Sequence, residues 1–539
     1  MFPEDLIETP VSLSMNPYAG PWTKVQASHL LKRAMFGPTN QQILDAVSAG
    51  MNTTVNNLLQ IPAIDPPLTY DPEEAIAPIG TTWVNSVYPS DVTANQATET
   101  ARLKSLGAWI MKRLNTEQFS IAEKMCLFWH NHFGVVVTSD SRATYNYHML
   151  LRQHALGNFR QMVKDVTIDP CMLLFLSGAT NTVYSPNENY ARELLELFTV
   201  GKGPQIGPGD YSYFTEEDVA AGAKILTGYI VEGLRSDTMT SPVATYMPIF
   251  HDGTTKQLSY HFGSVQVPNG GVVEYSNYID IIFQQPRVAT HICTKLYRYF
   301  VNYDLTQDVL DNVIPVMAQT LIDNNYDVLP VMQQLFRSEH FYDASLRGSL
   351  IRSPLEMIFG IFNATSSVPS YDLAGNSDMY LAFYWLGEAM GQAYATPPSV
   401  AGWPAYYQVP SYSQLWINST TIKTRFDIAT AVTVFTGIPV GTNNFKINAL
   451  GFLNGLSVPD DAPTVINDMC EVFCPKPISA TQKLTLKLIL TNGLPDWEWT
   501  LQYNEYLANS GNPTYSDPIR QRVENTLYNL FRMPQFQTI

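Results

Sequence analysis

The chain has 539 residues, 45% of them apolar, and is long enough to bury more than one ordinary core. Only 15% of residues are charged, and 48 acids outnumber 32 bases for a formal net charge of -16. The lack of clustered Lys and Arg argues against nucleic-acid binding, and no apolar run approaches the roughly 18 residues of a membrane-spanning helix.

Taken in chain order, the first twenty residues lack a basic stretch followed by an apolar one, so they do not read as a signal peptide. That favours a cytoplasmic location and leaves an exported form open. "TNQQILDAV" pairs Thr39 with Gln42, the pattern of a capping box, and "SIAEKMCLFWHNHF" repeats it with Ser120 and Glu123. "SPNE" does so again, with Ser185 as N-cap, Pro186 at the first helical position and Glu188 at the third, predicting a mostly buried helix from Pro186 to about Thr199. "TEEDVAAGAKILTGY" opens with acids and stops near Gly228. Residues 229–275 hold "YIVEG", "ATYMPIF", "KQLSYHFG" and "GGVVEY", rich in β-branched and aromatic residues, and predict two to four short strands. Amphipathic helices are expected at 286–302, 306–340, 355–365, 379–395, 421–436, 480–491 and 518–532. Irregular stretches at 60–95, 203–214, 366–378 and 396–416 read as long loops.

The expected fold is therefore mainly α: a multi-helix globular body with a small β insertion. Residues 1–455 form its helical core domain, including the insertion at 229–275, and residues 456–539 a C-terminal helical extension packed on that core. Five cysteines, Cys126, Cys171, Cys293, Cys470 and Cys474, are too few and too scattered for a disulfide framework. "CEVFC" lacks two further zinc ligands nearby, so buried free thiols are expected.

"NENYARELLELFTVGKG", residues 187–203, is the densest charged stretch. On a helix, Glu188, Arg192 and Glu196 share an arc of about 80°, which Asn189 and Glu193 widen to about 140°. Such a face is either a solvated ladder of ion pairs, each contributing about 0.2–0.5 kcal/mol, or one side of a cleft. Two other segments are chemically rich. "FWHNHFG" places His130 and His132 at the end of an apolar helix, where the dipole favours a protonated imidazole. "HDGTTK" supplies His251, Asp252 and Lys256.

These segments, with "LRQHALGNFRQMVKDVTIDPCML", "KLYRYFV", "PPSVAGWPAYYQ" and "FRMPQFQ", resemble the bacterial family catalogued as domain of unknown function 1800. The resemblance runs through most of the chain. It departs at Cys171, where the family has Ala, and at Tyr229, where it has Trp. The resemblance implies that the charged helix, "HNHF" and the His251–Lys256 segment are signature features, but it brings no activity. It also implies a sulfatase-like protein, often encoded nearby, as a partner.

Two functions are open. The first is a hydrolase, assisted by a divalent metal or working by acid–base chemistry. His130, His132, Glu193, Glu196, His251 and Asp252 are its candidate catalytic groups, and His132, Glu193, His251 and Asp252 its candidate metal ligands. Asn187, Asn189, Arg192, Lys256 and Trp403 would bind substrate, with Trp129 and Tyr406 extending an aromatic wall. A metal-free pair, Glu193 and Glu196, ranks lower because both sit on one face of one helix. The second is a non-catalytic helical scaffold or binding protein, partnering a sulfatase-like protein or a glycan, in which Arg192 bridges Glu188 and Glu196. The hydrolase predicts that His132, Glu193 and the His251–Asp252 pair meet in one polar pocket faced by Lys256, with the loop at 397–408 near it. Substrate, metal identity and oligomeric state are not legible.

Overall fold

A computed structural model describes residues 11–136, 139–403 and 415–539. Helices dominate, and the strands among the described residues form four separate antiparallel pairs rather than a larger sheet. Two pairs lie in the expected insertion, Tyr229–Glu232 with Val243–Tyr246 and Lys256–Gln257 with Gln266–Val267. Two unexpected hairpins pair Gln205–Gly207 with Asp210–Tyr211 and Ile438–Val440 with Asn443–Phe445. No helix among the described residues is long and apolar enough to cross a membrane.

Local chemistry accounts for where the expected elements hold and fail. Thr39 and Gln42 close a capping box at the start of the Asn40–Ala49 helix. The other two boxes do not form. Ser120 Oγ accepts from the Ala122 N–H at 3.0 Å, while Glu123 turns inward to Arg152 at 2.8 Å, a stronger charge-assisted partner than its own helix end. At 185–188, Asn187 Oδ1 instead accepts from the Asn189 N–H at 2.9 Å. This local side-chain bond competes with a helical turn, so the helix starts only at Asn189. The expected 306–340 helix is three helices, Gln307–Asn312, Ile314–Asp323 and Val328–Leu335. Pro315 starts the second, and Asn325 and Tyr326, both with positive φ, separate it from the third. The stretch expected as loop to residue 95 ends in a 24-residue helix, Val92–Asn115, capped by Asp91. It packs along Leu373–Ala389, which begins inside the 366–378 stretch also read as loop.

Apolar side chains from throughout the described chain join one core. Ala462–Phe473 packs on Lys24–Ala34 and Pro354–Ala364, and Pro513–Phe531 on Ser419–Val432 and Ala449–Asn454. Lys32 Nζ caps the first of these by donating to the carbonyls of Glu471 at 2.6 Å and Cys474 at 2.9 Å. The five cysteines are buried and form no disulfide, and burial pushes the Cys470 thiol up to about 12.

Buried charge is paired where the insertion meets the helices. The Tyr88 ring lies between the guanidinium groups of Arg102, at 4.2 Å, and Arg142, at 4.6 Å. Arg102 forks onto Glu74 at 2.7 and 3.1 Å. Arg142, wholly buried, forks onto Asp140 at 3.1 and 2.7 Å and donates to the carbonyls of Gly233 at 2.9 Å and Met239 at 2.6 Å. One guanidinium thus ties the first strand pair to the Ser141–Gln153 helix. Arg142→Met is expected to lower stability by about 3–5 kcal/mol in urea unfolding, because it leaves the Asp140 carboxylate without its cation. A change below about 0.5 kcal/mol would contradict that role.

Candidate functional site

The signature segment folds as a short helix, Asn189–Glu193, that widens into one π-helical turn, Leu194–Phe198. Tyr190, Ala191, Leu194, Leu195 and Phe198 are buried, so the apolar arc does face the core as expected. The wide turn frees backbone carbonyls, and other groups satisfy them. Gly201 N–H donates to the Leu195 carbonyl at 3.0 Å. The Leu197 carbonyl faces His291 Nε2 at 3.0 Å and accepts from Lys295 Nζ at 2.8 Å, both from the Pro286–Phe300 helix. Gly201 sits at φ +79°, and a Cβ there would lie 3.0 Å from His291 Nδ1, so a side chain would push this helix away.

The polar arc is half exposed and mostly paired. Arg192 reaches Glu188 at 3.1 Å, as expected, but its stronger partner is Glu216, met bidentately at 2.8 and 2.7 Å. Glu216 holds the guanidinium above its ordinary value. Glu196 pairs not with Arg192 but with Lys202 at 3.0 Å. Asn187 is spent on the chain's entry to the helix and Asn189 is exposed. Glu193 is half-buried with no hydrogen-bond or ion-pair partner among the described residues. Burial, then the Glu196 charge, raise its carboxyl to about 7, against the pull of Arg192 and Lys202.

His132 approaches the far end of the same segment. Its ring is buried 6.0 Å from that of Phe198 and 5.7 Å from that of Phe159, with Nδ1 3.1 Å from Lys295 Nζ. Burial, then the nearby Lys295 and His291, hold the imidazole well below its ordinary value. The protonated form expected from the helix dipole is thus overturned: desolvation outweighs the helix end. Burial also holds His130 down at about 4. It stacks on Tyr394 at 5.4 Å and lies 5.9 Å from the Trp403 ring. Trp403 N–H donates to Asn131 Oδ1 at 2.8 Å, and Gly402, at φ +88°, allows the approach, since a Cβ would fall 2.2 Å from that oxygen. The described end of the 396–416 stretch thus packs on the Ala122–Phe133 helix. Pro404 and Tyr406 lie outside the described residues.

His251, Asp252 and Lys256 form a different, closed network whose centre the sequence did not reveal. Glu274, with no solvent exposure, holds His251 Nε2 at 3.0 Å, accepts from Lys256 Nζ at 2.6 Å and accepts from the Gly270 N–H at 2.9 Å. His251 Nδ1 lies 3.0 Å from the Thr227 carbonyl, and Asp252 Oδ1 accepts from the Thr254 N–H at 2.8 Å. "GGVVEY" is not a strand: Gly271–Val273 is a tight turn, and Glu274 opens the Glu274–Ile282 helix.

Among the described residues, the hydrogen-bond and ring contacts of His132 share no residue with those of His251. Among the described residues, no three His, Cys, Asp or Glu side chains are grouped to hold a metal ion. Two clefts lie elsewhere, along the Val92–Asn115 and Leu373–Ala389 helices. One, of about 310 Å³, has Leu106, Gly107, Ile110, Tyr384, Trp385 and Tyr394 in its wall. The other, of about 670 Å³, includes Asp65, Thr82, Lys112, Arg113, Asn376 and Ser377. Neither is lined by the signature segment.

Burial sets the expected cost of each change. Glu274→Gln should cost about 3–5 kcal/mol, since it removes the buried carboxylate 2.6 Å from Lys256 and leaves that amine only Asp252, at 3.9 Å. Arg192→Ala, whose ion pairs are half exposed, should cost about 1 kcal/mol or less. Equal costs in denaturant unfolding would contradict this division.

No curated protein and no solved structure matches this chain. One family model, described as "Protein of unknown function (DUF1800)", matches residues 29–538, nearly the whole length. The chain belongs to that family.

Proposed function

We propose that this chain is a binding scaffold whose signature polar residues brace its helices, and that its ligand is a glycan held in the cleft of about 670 Å³. The observation that carries this reading is that four groups a hydrolase would use are already engaged. His251, Asp252 and Lys256 are bonded to Glu274, Thr227 and Thr254, and Arg192 is bonded to Glu216 and Glu188. The cleft mixes hydroxyl, amide and charged groups with Trp109 and Tyr380, a combination suited to sugar hydroxyls and their apolar C–H faces. Its concave shape favours a glycan over a sulfatase-like protein. Titration calorimetry with a panel of neutral and acidic oligosaccharides should find at least one binder. Lys112→Ala with Asn376→Ala should weaken it about tenfold or more, Arg192→Lys should not, and no new reducing ends should appear. Failure of the whole panel would overturn the glycan, and new reducing ends would overturn the scaffold.

A second reading rests on Glu193. An unpaired carboxyl raised to about 7, where an α-helix passes into a π turn, suits a general acid–base. In that reading the chain is an acid–base hydrolase with Glu193 moving the proton and Arg192 placed to steady a developing anion. The metal-assisted version, with His132, Glu193, His251 and Asp252 as ligands, is less favoured, because His251 and Asp252 are committed to their own network. Glu193→Gln should abolish hydrolysis under this reading and leave glycan binding intact under the first.

The titration of Glu193 has its own consequence. Its folded carboxyl is raised, so the unfolded chain loses this proton first as pH rises. Stability should therefore fall between about pH 4.5 and about pH 7 and then level off. Glu193→Gln should remove that part of the fall. Identical pH profiles of urea midpoints for the two proteins would show that Glu193 titrates as an ordinary solvated carboxyl.

A further inference from the structure

The C-terminal helices Ala480–Leu490 and Asp496–Ala508 are apolar on two opposite faces. Their inner faces bury Leu486 and Leu490, and Trp499, Tyr503 and Tyr506, and both helices pack against Ala462–Phe473 and Pro513–Phe531. Their outer faces carry Leu484 at 52% exposure and Leu488 at 48%, then Trp497 at 62% and Leu501 at 49%. Each pair is spaced i, i+4, so it lies on one face of its helix. Leu494, in the turn between the helices, is also exposed. A surface helix ordinarily turns polar residues outward. Large apolar side chains in this regular pattern mark an interaction surface.

The charges on the two helices are segregated. Ala480–Leu490 carries only lysines, Lys483 and Lys487, whereas Asp496–Ala508 carries only acids, Asp496, Glu498 and Glu505. Within one chain the two are joined by Lys487 and Asp496 at 2.9 Å. We propose that this face binds a second copy of the chain about a two-fold axis, with the basic helix of each copy lying on the acidic helix of the other. A two-fold interface presents the same patch twice, so residue i meets j and j meets i. Crossing unlike helices sets lysines against carboxylates, while pairing like helices would set Lys against Lys and acid against acid. The acidic helix also disfavours a bilayer as the occupant, because interfacial helices draw on basic side chains to hold anionic headgroups.

Sedimentation equilibrium of the full chain, from about 1 to about 100 μM at low salt, tests the proposal. The wild type should reach twice the chain mass. Leu488→Glu with Trp497→Glu, both at exposed sites and so compatible with an unchanged far-ultraviolet circular-dichroism spectrum, should weaken association at least about tenfold. Lys483→Glu alone should weaken it several-fold. A wild type that stays monomeric throughout overturns the proposal, whether or not it binds vesicles of phosphatidylcholine and phosphatidylglycerol. So does a dimer unaffected by the double substitution. A dimer insensitive to Lys483→Glu overturns the crossed arrangement of unlike helices.

Discussion

The cost of burying an unpaired charge shapes this molecule more than any other constraint. Charge is scarce in the sequence, and several of its ionic groups are drawn into the interior with counter-charges beside them. Glu274 takes Lys256, Arg142 takes Asp140, Arg102 takes Glu74, and Lys124 takes Glu356. The Glu274, Arg102 and Lys124 pairings each join separate segments, whereas Asp140 caps the helix that carries Arg142. The strand pairs of the insertion are two to four residues long, too short to stand alone. They stay in place because Arg142 holds one end and Glu274 the other.

The signature helix obeys the same logic in its backbone. A π turn would leave carbonyls unsatisfied, and His291, Lys295 and the Gly201 amide fill that role. Lys295 also touches His132, so the Ala122–Phe133 helix, the signature segment and the Pro286–Phe300 helix meet at one polar node inside an aromatic shell. Burial and the neighbouring Arg298 hold the Lys295 amine down at about 7, and burial holds His291 near 3. The imidazoles at this node are therefore neutral, and their hydrogen bonds do the bracing.

Much of the helical body was legible because period and caps are local: Thr39 with Gln42 and the acids after Thr215 mark helix starts that the structure keeps. The chemically rich residues were legible as types, since His251, Asp252 and Lys256 stand out in so weakly charged a chain. What they do was not legible. Glu274 lies 23 residues from His251 behind "GGVVEY", which reads as a strand, and the pairing that defines its role is a long-range Coulomb interaction with no local mark. Arg192 misled for a related reason. Helical spacing offered Glu188 and Glu196, but a packed neighbouring helix supplied Glu216 in bidentate geometry, which two residues on one helix cannot match. Ser185 failed as a cap because Asn187, two residues later, offered the backbone a competing bond.

The central claim is that the signature charges brace the fold, and its most direct measurement is a double-mutant cycle between Lys256 and Glu274. Urea unfolding of Lys256→Met, Glu274→Leu and the double variant isolates their coupling. The bracing account predicts that the double variant is far more stable than the two single losses would sum to, with a coupling of about 2–3 kcal/mol, because each single change strands a buried charge. Additive losses, within about 0.5 kcal/mol, would contradict it.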